Sequence, residues 1–183
     1  MWTSKPSSEG ANRRGWLSEM ICPLDLTLRS VQARDLPAIY EIEKISFKEP
    51  YPPSFIDTLA YRNPEMFVVA EENGRIVGYV VAMLQGESLG RIVSIAVSPN
   101  RRRRGVGSAL TLRILEVLKR LGAESVRLEV RRSNIAAQRF YEKLGFKKAC
   151  VIKNYYRDED AYVFVTALEN VRKQSLQTLK EQG

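Results

Sequence analysis

Two neighbouring stretches decide the fold of this chain: RIVSIAV at residues 91–97 and RRRGVGS at residues 102–108. The first is apolar and predicts a central strand, which Pro99 and Asn100 end. In the second, two glycines let the backbone approach a ligand closely, and the unpaired N–H groups of a following helix attract an anion. The RxxGxG spacing differs from the dinucleotide and P-loop fingerprints. It predicts a phosphate-binding turn, and a helix entry with solvent-facing arginines is the alternative.

The hydrophobic pattern on either side of these stretches predicts elements in the order β, α, α, β, β, β, α, β, α, β, β. Asp35 is expected at the N-cap of the first helix. Its apolar face would carry Leu36, Ile39, Ile42 and Ile45. The expected strands are 26–31, 66–71, 75–85, 91–97, 124–131, 147–155 and 161–168, and the later helices are 54–61, a segment ending near 121, and 134–144.

Composition indicates one folded domain with extensions. Hydrophobic residues make up 44% of the chain, enough for a core, and the apolar pattern runs from 26 to 168. Residues 1–25 are expected to be a flexible N-terminal extension, and 169–183 a polar C-terminal tail. No apolar run is long enough to span a bilayer, and the first residues lack the apolar centre of a secretory signal. A soluble, cytoplasmic protein is therefore expected.

The absence of histidine excludes a Ser-His-Asp triad and removes the commonest metal ligand. Cys22 and Cys150 form neither a CxxC pair nor a disulfide framework, so no metal site is expected. The net charge of +8 suits a polyanionic partner such as nucleic acid, an anionic membrane surface or a phosphorylated cofactor. Because the run 101–104 lacks interleaved aromatic residues, an anionic cofactor is the better explanation.

Several ordered motifs resemble the GNAT acetyltransferase superfamily, most closely its RimI-like and archaeal N-terminal (Nα) acetyltransferases. The resemblance covers residues 26–168. It implies a mixed α/β (α+β) fold: one GNAT-type domain with a twisted, mostly antiparallel central sheet, a splayed parallel strand pair, and helices on both faces. The matching stretches are SIAV at 94–97, RRRGVGS at 102–108, LEVR at 128–131, SN at 133–134, FYEKLGF at 140–146 and YY at 155–156 before DEDAY at 158–162.

The resemblance also implies acetyl-CoA as the cosubstrate and no metal. Its pantetheine arm would lie between the splayed strands and pair with the backbone of 95–97, and the N–H of Val97 would face the thioester oxygen. The implied cofactor-binding residues are Ile95, Ala96, Val97, Arg103, Arg104, Gly105, Val106, Gly107, Ser108, Asn134 and Tyr141.

Two residues match the catalytic positions of such enzymes. Tyr141 would be the general acid that protonates the departing thiolate, and a packing tyrosine is the alternative. Glu129 would be the base, and the alternative is a surface glutamate paired with Arg127 or Arg131. Some archaeal relatives carry a histidine where this chain has Arg91, so any acid–base pair here must rest on Glu129 and Tyr141.

Four residues match the substrate entrance of the archaeal enzymes. Glu49 and Tyr51 lie in a proline-rich break, and Tyr155 and Tyr156 lie in the last hairpin. Asn134, besides its cofactor role, is expected to cap its helix. Packing within the loop and the hairpin is the alternative for the four entrance residues.

The implied function is acetylation of the N-terminal amine of proteins or peptides, ribosomal proteins among them. Acetylation of a lysine side chain or a small amine is the alternative within the same fold. A basic RNA-binding module and a non-catalytic acetyl-CoA sensor belong to other classes. The substrate entrance separates the first two, because loops that close over an extended peptide favour a terminus and an open slot favours lysine.

Overall fold

The computed structural model describes residues 26–169. The predicted extension 1–25, and the predicted tail beyond residue 169, lie outside this range. The strands are β1 Leu26–Ser30, β2 Phe67–Glu72, β3 Arg75–Gln85, β4 Leu89–Val97, β5 Ser125–Arg131, β6 Lys147–Ile152 and β7 Ala161–Ala167. The helices are α1 Leu36–Ser46, α2 Pro53–Arg62, α3 Val106–Arg120 and α4 Ile135–Lys143, with short 3₁₀ turns at Ala33–Asp35, Pro64–Met66 and Pro99–Arg101.

The described strands form one sheet in the order β1-β2-β3-β4-β5-β7-β6. Neighbouring strands are antiparallel except for β4 and β5, which run parallel. Element order and sheet topology confirm the predicted fold class. Among residues 26–169, no helix has both the length and the apolar composition needed to cross a lipid bilayer.

Helices cover both faces of the sheet, as predicted. α1 and α2 pack over one face, on a cluster that includes Phe67, Val69 and Tyr79. α3 and α4 pack over the other face, on a cluster that includes Val68 and Val80. The central strands are therefore buried on both sides, which explains their near-continuous apolar sequence.

The predicted apolar face of α1 is wrong at its end. Ile45 is 55% exposed, whereas Ile39, Ile42 and Glu43 are the buried residues of the helix. Nine residues make about two and a half turns at 3.6 residues per turn, so Ile45 lies opposite Leu36. The true buried stripe thus carries an acidic residue.

Asp35 occupies the N-cap position of α1, as predicted, but its side chain makes no cap bond to that helix. The carboxylate instead accepts a hydrogen bond from the Gln32 N–H at 2.8 Å and pairs with Arg29. The pKa of Asp35 is lowered chiefly by the hydrogen bond from Arg29. Asp35 therefore ties the start of α1 to β1.

A bulge in β4 opens the sheet at its centre. Val81 lies opposite Ser94 and Ala82 lies opposite Ile92, so Val93 is an extra residue with no partner on β3. A bulge bends its strand and increases the local twist. The parallel pairing of β4 with β5 extends only over Leu89–Arg91, and the two strands diverge beyond it. The predicted splayed pair is thus present, and its opening begins at the bulge.

Candidate active site

A cleft of about 730 Å³ lies where β4 and β5 separate. Its walls come from the end of α1 and the following loop, from β4 and β5, from α4, and from the loop between β6 and β7. Eight residues predicted from the sequence line it together: Glu49, Tyr51, Ile95, Glu129, Asn134, Tyr141, Tyr155 and Tyr156.

The backbone of β4 presents an open edge to this cleft. Ser98 donates its N–H to the Val77 carbonyl on β3, so strand alternation directs the N–H groups of Ile95 and Val97 the opposite way. The Val97 carbonyl lies on the same side of the strand and already accepts a hydrogen bond from Arg102 Nε at 2.9 Å. Within the described sheet, no strand pairs with this edge after the bulge. An extended ligand can therefore add to β4 as a short extra strand.

The arginine run after β4 divides into two parts. Arg101 pairs with Glu72, and Arg102 donates to the Val97 carbonyl and to Ser46 Oγ, so both side chains tie the loop to the domain. Arg103 and Arg104 are exposed. Half of the basic run is thus engaged within the fold, which leaves a small surface for a polyanion such as RNA.

The glycine loop leads directly into the N-terminus of α3. Gly105 is the N-cap with φ of 81°, and no side chain from residues 26–169 caps the helix. Arg103 also has a positive φ, of 64°. Among residues 26–169, no acceptor bonds the N–H groups of residues 103–108. The first N–H of this turn that has a partner is that of Ala109, which donates to the Gly105 carbonyl. Such an end attracts an anion. The binding role of residues 103–108 stays a prediction.

Glu129 points away from the apolar core and is nonetheless buried, with its side chain 5% exposed. Its Oε2 accepts a hydrogen bond from Arg91 Nε at 3.0 Å. Its Oε1 lies 3.6 Å from Arg127 Nε and, in the described part of the chain, both atoms are buried without a hydrogen-bond partner. Glu129 therefore pairs with arginines, Arg127 among them, as the alternative of a paired surface glutamate predicted, but its side chain is buried and not on the surface. Its Oε1 retains an unused acceptor site.

Arg91 joins two residues that line the cleft. Its guanidinium bonds Glu129 and also donates to the hydroxyl of Tyr155 at 2.7 Å. An arginine stays protonated, so it cannot take up the proton of a substrate amine. It can hold Glu129 and Tyr155 in place.

Tyr141 is buried on α4 with its ring against Phe140, Phe146 and Phe164. The ring therefore packs as the alternative reading held, while the residue also lines the cleft. Burial, with a smaller contribution from Tyr156, raises the pKa of Tyr141. The phenol is consequently protonated throughout the physiological range and is available as a proton donor.

The two predicted entrance segments meet at the mouth of the cleft. Tyr51 follows α1, and Tyr155 and Tyr156 precede β7 with their rings 4.9 Å apart, edge to face. Burial is the main reason why the pKa of Tyr156 is raised to about 12. Asn134 caps α4 by accepting from the Ala137 N–H at 3.0 Å, which confirms the capping part of its prediction.

Comparison with known proteins agrees with this geometry. The model of the Acetyltransferase (GNAT) family matches residues 36–146. The chain belongs to this family. An N-alpha-acetyltransferase of Sulfurisphaera tokodaii is 36% identical over 154 residues, which are 77% of this chain and 92% of the relative.

Two further relatives of this GNAT chain extend the comparison. The [ribosomal protein bS18]-alanine N-acetyltransferase of Escherichia coli is 32% identical over 136 residues, 73% of this chain and 89% of the relative. The crystal structure of Ard1 from Thermoplasma volcanium has 36% identity and a TM-score of 0.76, over 78% of this chain and 97% of that one. The family and the acetyltransferase class are therefore those that the motifs predicted.

One residue of this GNAT site was missed by the sequence analysis. Glu43 lines the cleft at 2% exposure, and its Oε1 accepts from the Tyr51 N–H at 2.9 Å. Its Oε2 accepts from the hydroxyls of Tyr79 and Ser94. Burial and the nearby Glu43 carboxylate raise the pKa of Tyr79, which keeps that hydroxyl a donor. Glu43 thus joins the entrance loop to β3 and β4.

Tyr79→Phe should reduce the free energy of unfolding by roughly 1–3 kcal/mol, because the buried Glu43 carboxylate loses a donor. Tyr40→Phe is the matched control, since it removes a hydroxyl that bonds Asp57 at an exposed position. We expect that control to change stability by less than about 0.5 kcal/mol. Urea denaturation measures both. Equal losses would show that the Glu43 network has no special weight.

Proposed function

We propose that this acetyltransferase transfers the acetyl group of acetyl-CoA to the N-terminal α-amine of proteins or peptides. The observation that carries the proposal is the cleft itself, where the unused oxygen of Glu129 and the phenol of Tyr141 line the opening of the sheet. The relatives from S. tokodaii and E. coli, named for Nα- and alanine N-acetylation, support the same class of acceptor.

The donor fits the open edge of β4. The N–H groups of Ile95 and Val97 would pair with the pantetheine arm, Ala96 lies between them, and Asn134 and Tyr141 flank the same cleft. The N–H of Val97 would also stabilise the oxygen charge that develops on the thioester carbonyl. Backbone N–H groups of residues 103–108, with the positive end of the α3 dipole behind them, would hold the pyrophosphate.

The acceptor amine attacks the thioester carbon directly. As the C–N bond forms, the amine proton passes to Glu129 Oε1, either directly or through water. As the C–S bond breaks, the leaving thiolate takes the proton of Tyr141, which burial keeps protonated. Arg91 and Arg127 hold the Glu129 carboxylate beside the acceptor without taking part in proton transfer.

A terminal amine suits this machinery better than a lysine side chain. An α-amine has a pKa of about 8 and is partly neutral at physiological pH, whereas a lysine ε-amine has a pKa of about 10.4. The terminal amine therefore needs a proton acceptor only as it reacts, and one carboxylate oxygen is sufficient. Glu49, Tyr51, Tyr155 and Tyr156 at the mouth would hold the first residues of the peptide.

Acetyl-CoA turnover should be measured against peptides that differ only in their first two residues, beside an N-terminally blocked peptide with one internal lysine. We expect acetylation of the free α-amine, located by mass spectrometry, and a kcat/KM at least about tenfold higher than for the lysine peptide. Modification of lysine ε-amines alone would contradict the proposed acceptor. Binding of RNA without any turnover would contradict the proposed enzyme class.

Glu129→Gln and Tyr141→Phe should each lower kcat by about 10²–10⁴-fold, the usual contribution of a positioned acid or base. The KM for acetyl-CoA should change little, because the proposed cofactor contacts are mostly backbone groups. Glu116→Gln and Tyr61→Phe are matched controls on exposed surface and should retain full activity. If both cleft variants turned over at the wild-type rate, the acid–base assignment would be wrong.

A further inference from the structure

The two entrance loops are joined by charge at the mouth of the cleft. Arg131, the last residue of β5, pairs with Glu49 at 3.0 Å in the loop after α1. The same guanidinium pairs with Asp158 at 2.7 Å and Glu159 at 2.9 Å, both in the loop before β7. Lys48 forms a second bridge between the loops, to Asp158. We call Lys48, Glu49, Arg131, Asp158 and Glu159 the entrance latch.

Arg131 is the centre of the latch, and its side chain is only 18% exposed. Its guanidinium lies 4.0 Å from the centroid of the Tyr156 ring, so it also sets the orientation of an entrance tyrosine. Glu159 is further anchored by the N–H and hydroxyl of Ser133. The loop before β7 is therefore held against β5, and the loop after α1 is held against both.

The charge balance makes the latch depend on this one side chain. Without Arg131, three carboxylates would share the mouth of the cleft with Lys48 as the remaining cation of the latch. With Lys48 and Arg131 beside it, Asp158 has its pKa lowered to about 2. An aspartate without such partners has a pKa of about 4, so Asp158 would stay ionised at physiological pH without Arg131. Mutual repulsion of Glu49, Asp158 and Glu159 would then drive the loops apart.

A closed mouth discriminates between the two kinds of acceptor chain. A terminal amine enters with a chain on one side only. An internal lysine brings main chain on both sides of its side chain, and that chain must lie across the mouth. The latch would obstruct such a chain, since three of its residues, Lys48, Glu49 and Arg131, line the cleft.

From this geometry we infer that Arg131 is a specificity-determining residue, which restricts the acceptor to free N-termini by holding the two entrance loops together. The inference rests on the proposed function and deepens it. Arg131 acts by positioning the loops and does not take part in proton transfer.

The test compares wild type, Arg131→Met, Arg131→Lys and Arg113→Met on two peptides. One peptide has a free α-amine and no lysine, and the other is N-terminally blocked with one internal lysine. Arg113 pairs with Glu116 on α3, where the two side chains are 41% and 66% exposed, so its variant is a matched control for loss of a surface arginine. The measured quantity is the ratio of the two kcat/KM values, with the acetyl-CoA KM and thermal stability measured in parallel.

In Arg131→Met the ratio should fall by about tenfold or more, through a higher KM for the free peptide and faster lysine acetylation. Arg131→Lys keeps the charge, so its ratio should lie between the ratios of wild type and Arg131→Met. The ratio of Arg113→Met should match that of wild type. Raising the salt concentration should lower the wild-type ratio, since salt screens the attractions of the latch. It should not lower the ratio of Arg131→Met, in which salt mainly screens repulsion between the carboxylates.

Three outcomes separate the hypotheses. A ratio in Arg131→Met that stays within about twofold of wild type would overturn the inference and leave the proposed function intact. Equal losses on both peptides would also overturn it, because they would indicate a purely structural role. A wild-type enzyme that acetylated only the lysine peptide would instead contradict the proposed function.

Discussion

Backbone groups in a sheet must find hydrogen-bond partners, and in this protein the bulge at Val93 leaves part of β4 without any on one side. The rest of the site depends on that interruption. The separation of β4 from β5 forms the cleft, brings Glu129 to its floor and leaves the N–H groups of Ile95 and Val97 available to a ligand. The glycine loop follows at the end of the same strand, so the residues proposed to bind the arm and the phosphates of the donor are consecutive along the chain.

Two buried carboxylates, Glu129 and Glu43, line the cleft and differ in how many hydrogen-bond donors they already bind. Arg91 fixes one oxygen of Glu129 and the hydroxyl of Tyr155, while the second carboxylate oxygen keeps its acceptor capacity. Glu43 satisfies three donors and so belongs to the framework, although it too is a buried carboxylate in the cleft. The number of hydrogen-bond partners thus differs between Glu129, the carboxylate proposed as the base, and Glu43, which supports the fold.

Local signals predicted most of the fold. The periodic apolar pattern predicted the order of strands and helices, and the family motifs contain several of the residues that line the cleft. The bulge could not be predicted. RIVSIAV is apolar at nearly every position, so a shift in side-chain direction does not change its hydrophobic pattern. Glu43 was not predicted to be buried, because Ile45, three residues after Ile42, was assigned to the buried face of α1 instead. Pairs such as Arg131 with Glu49 join residues 82 positions apart, and no spacing rule connects them.

We have proposed that the open edge of β4 and the start of α3 receive the acetyl donor. Residue-resolved amide hydrogen exchange, measured with and without saturating acetyl-CoA, tests it most directly. We expect slower exchange at Ile95, Val97 and residues 103–108 when acetyl-CoA is bound, and unchanged exchange at the far edge strand β1. Protection elsewhere with none at these amides would contradict it.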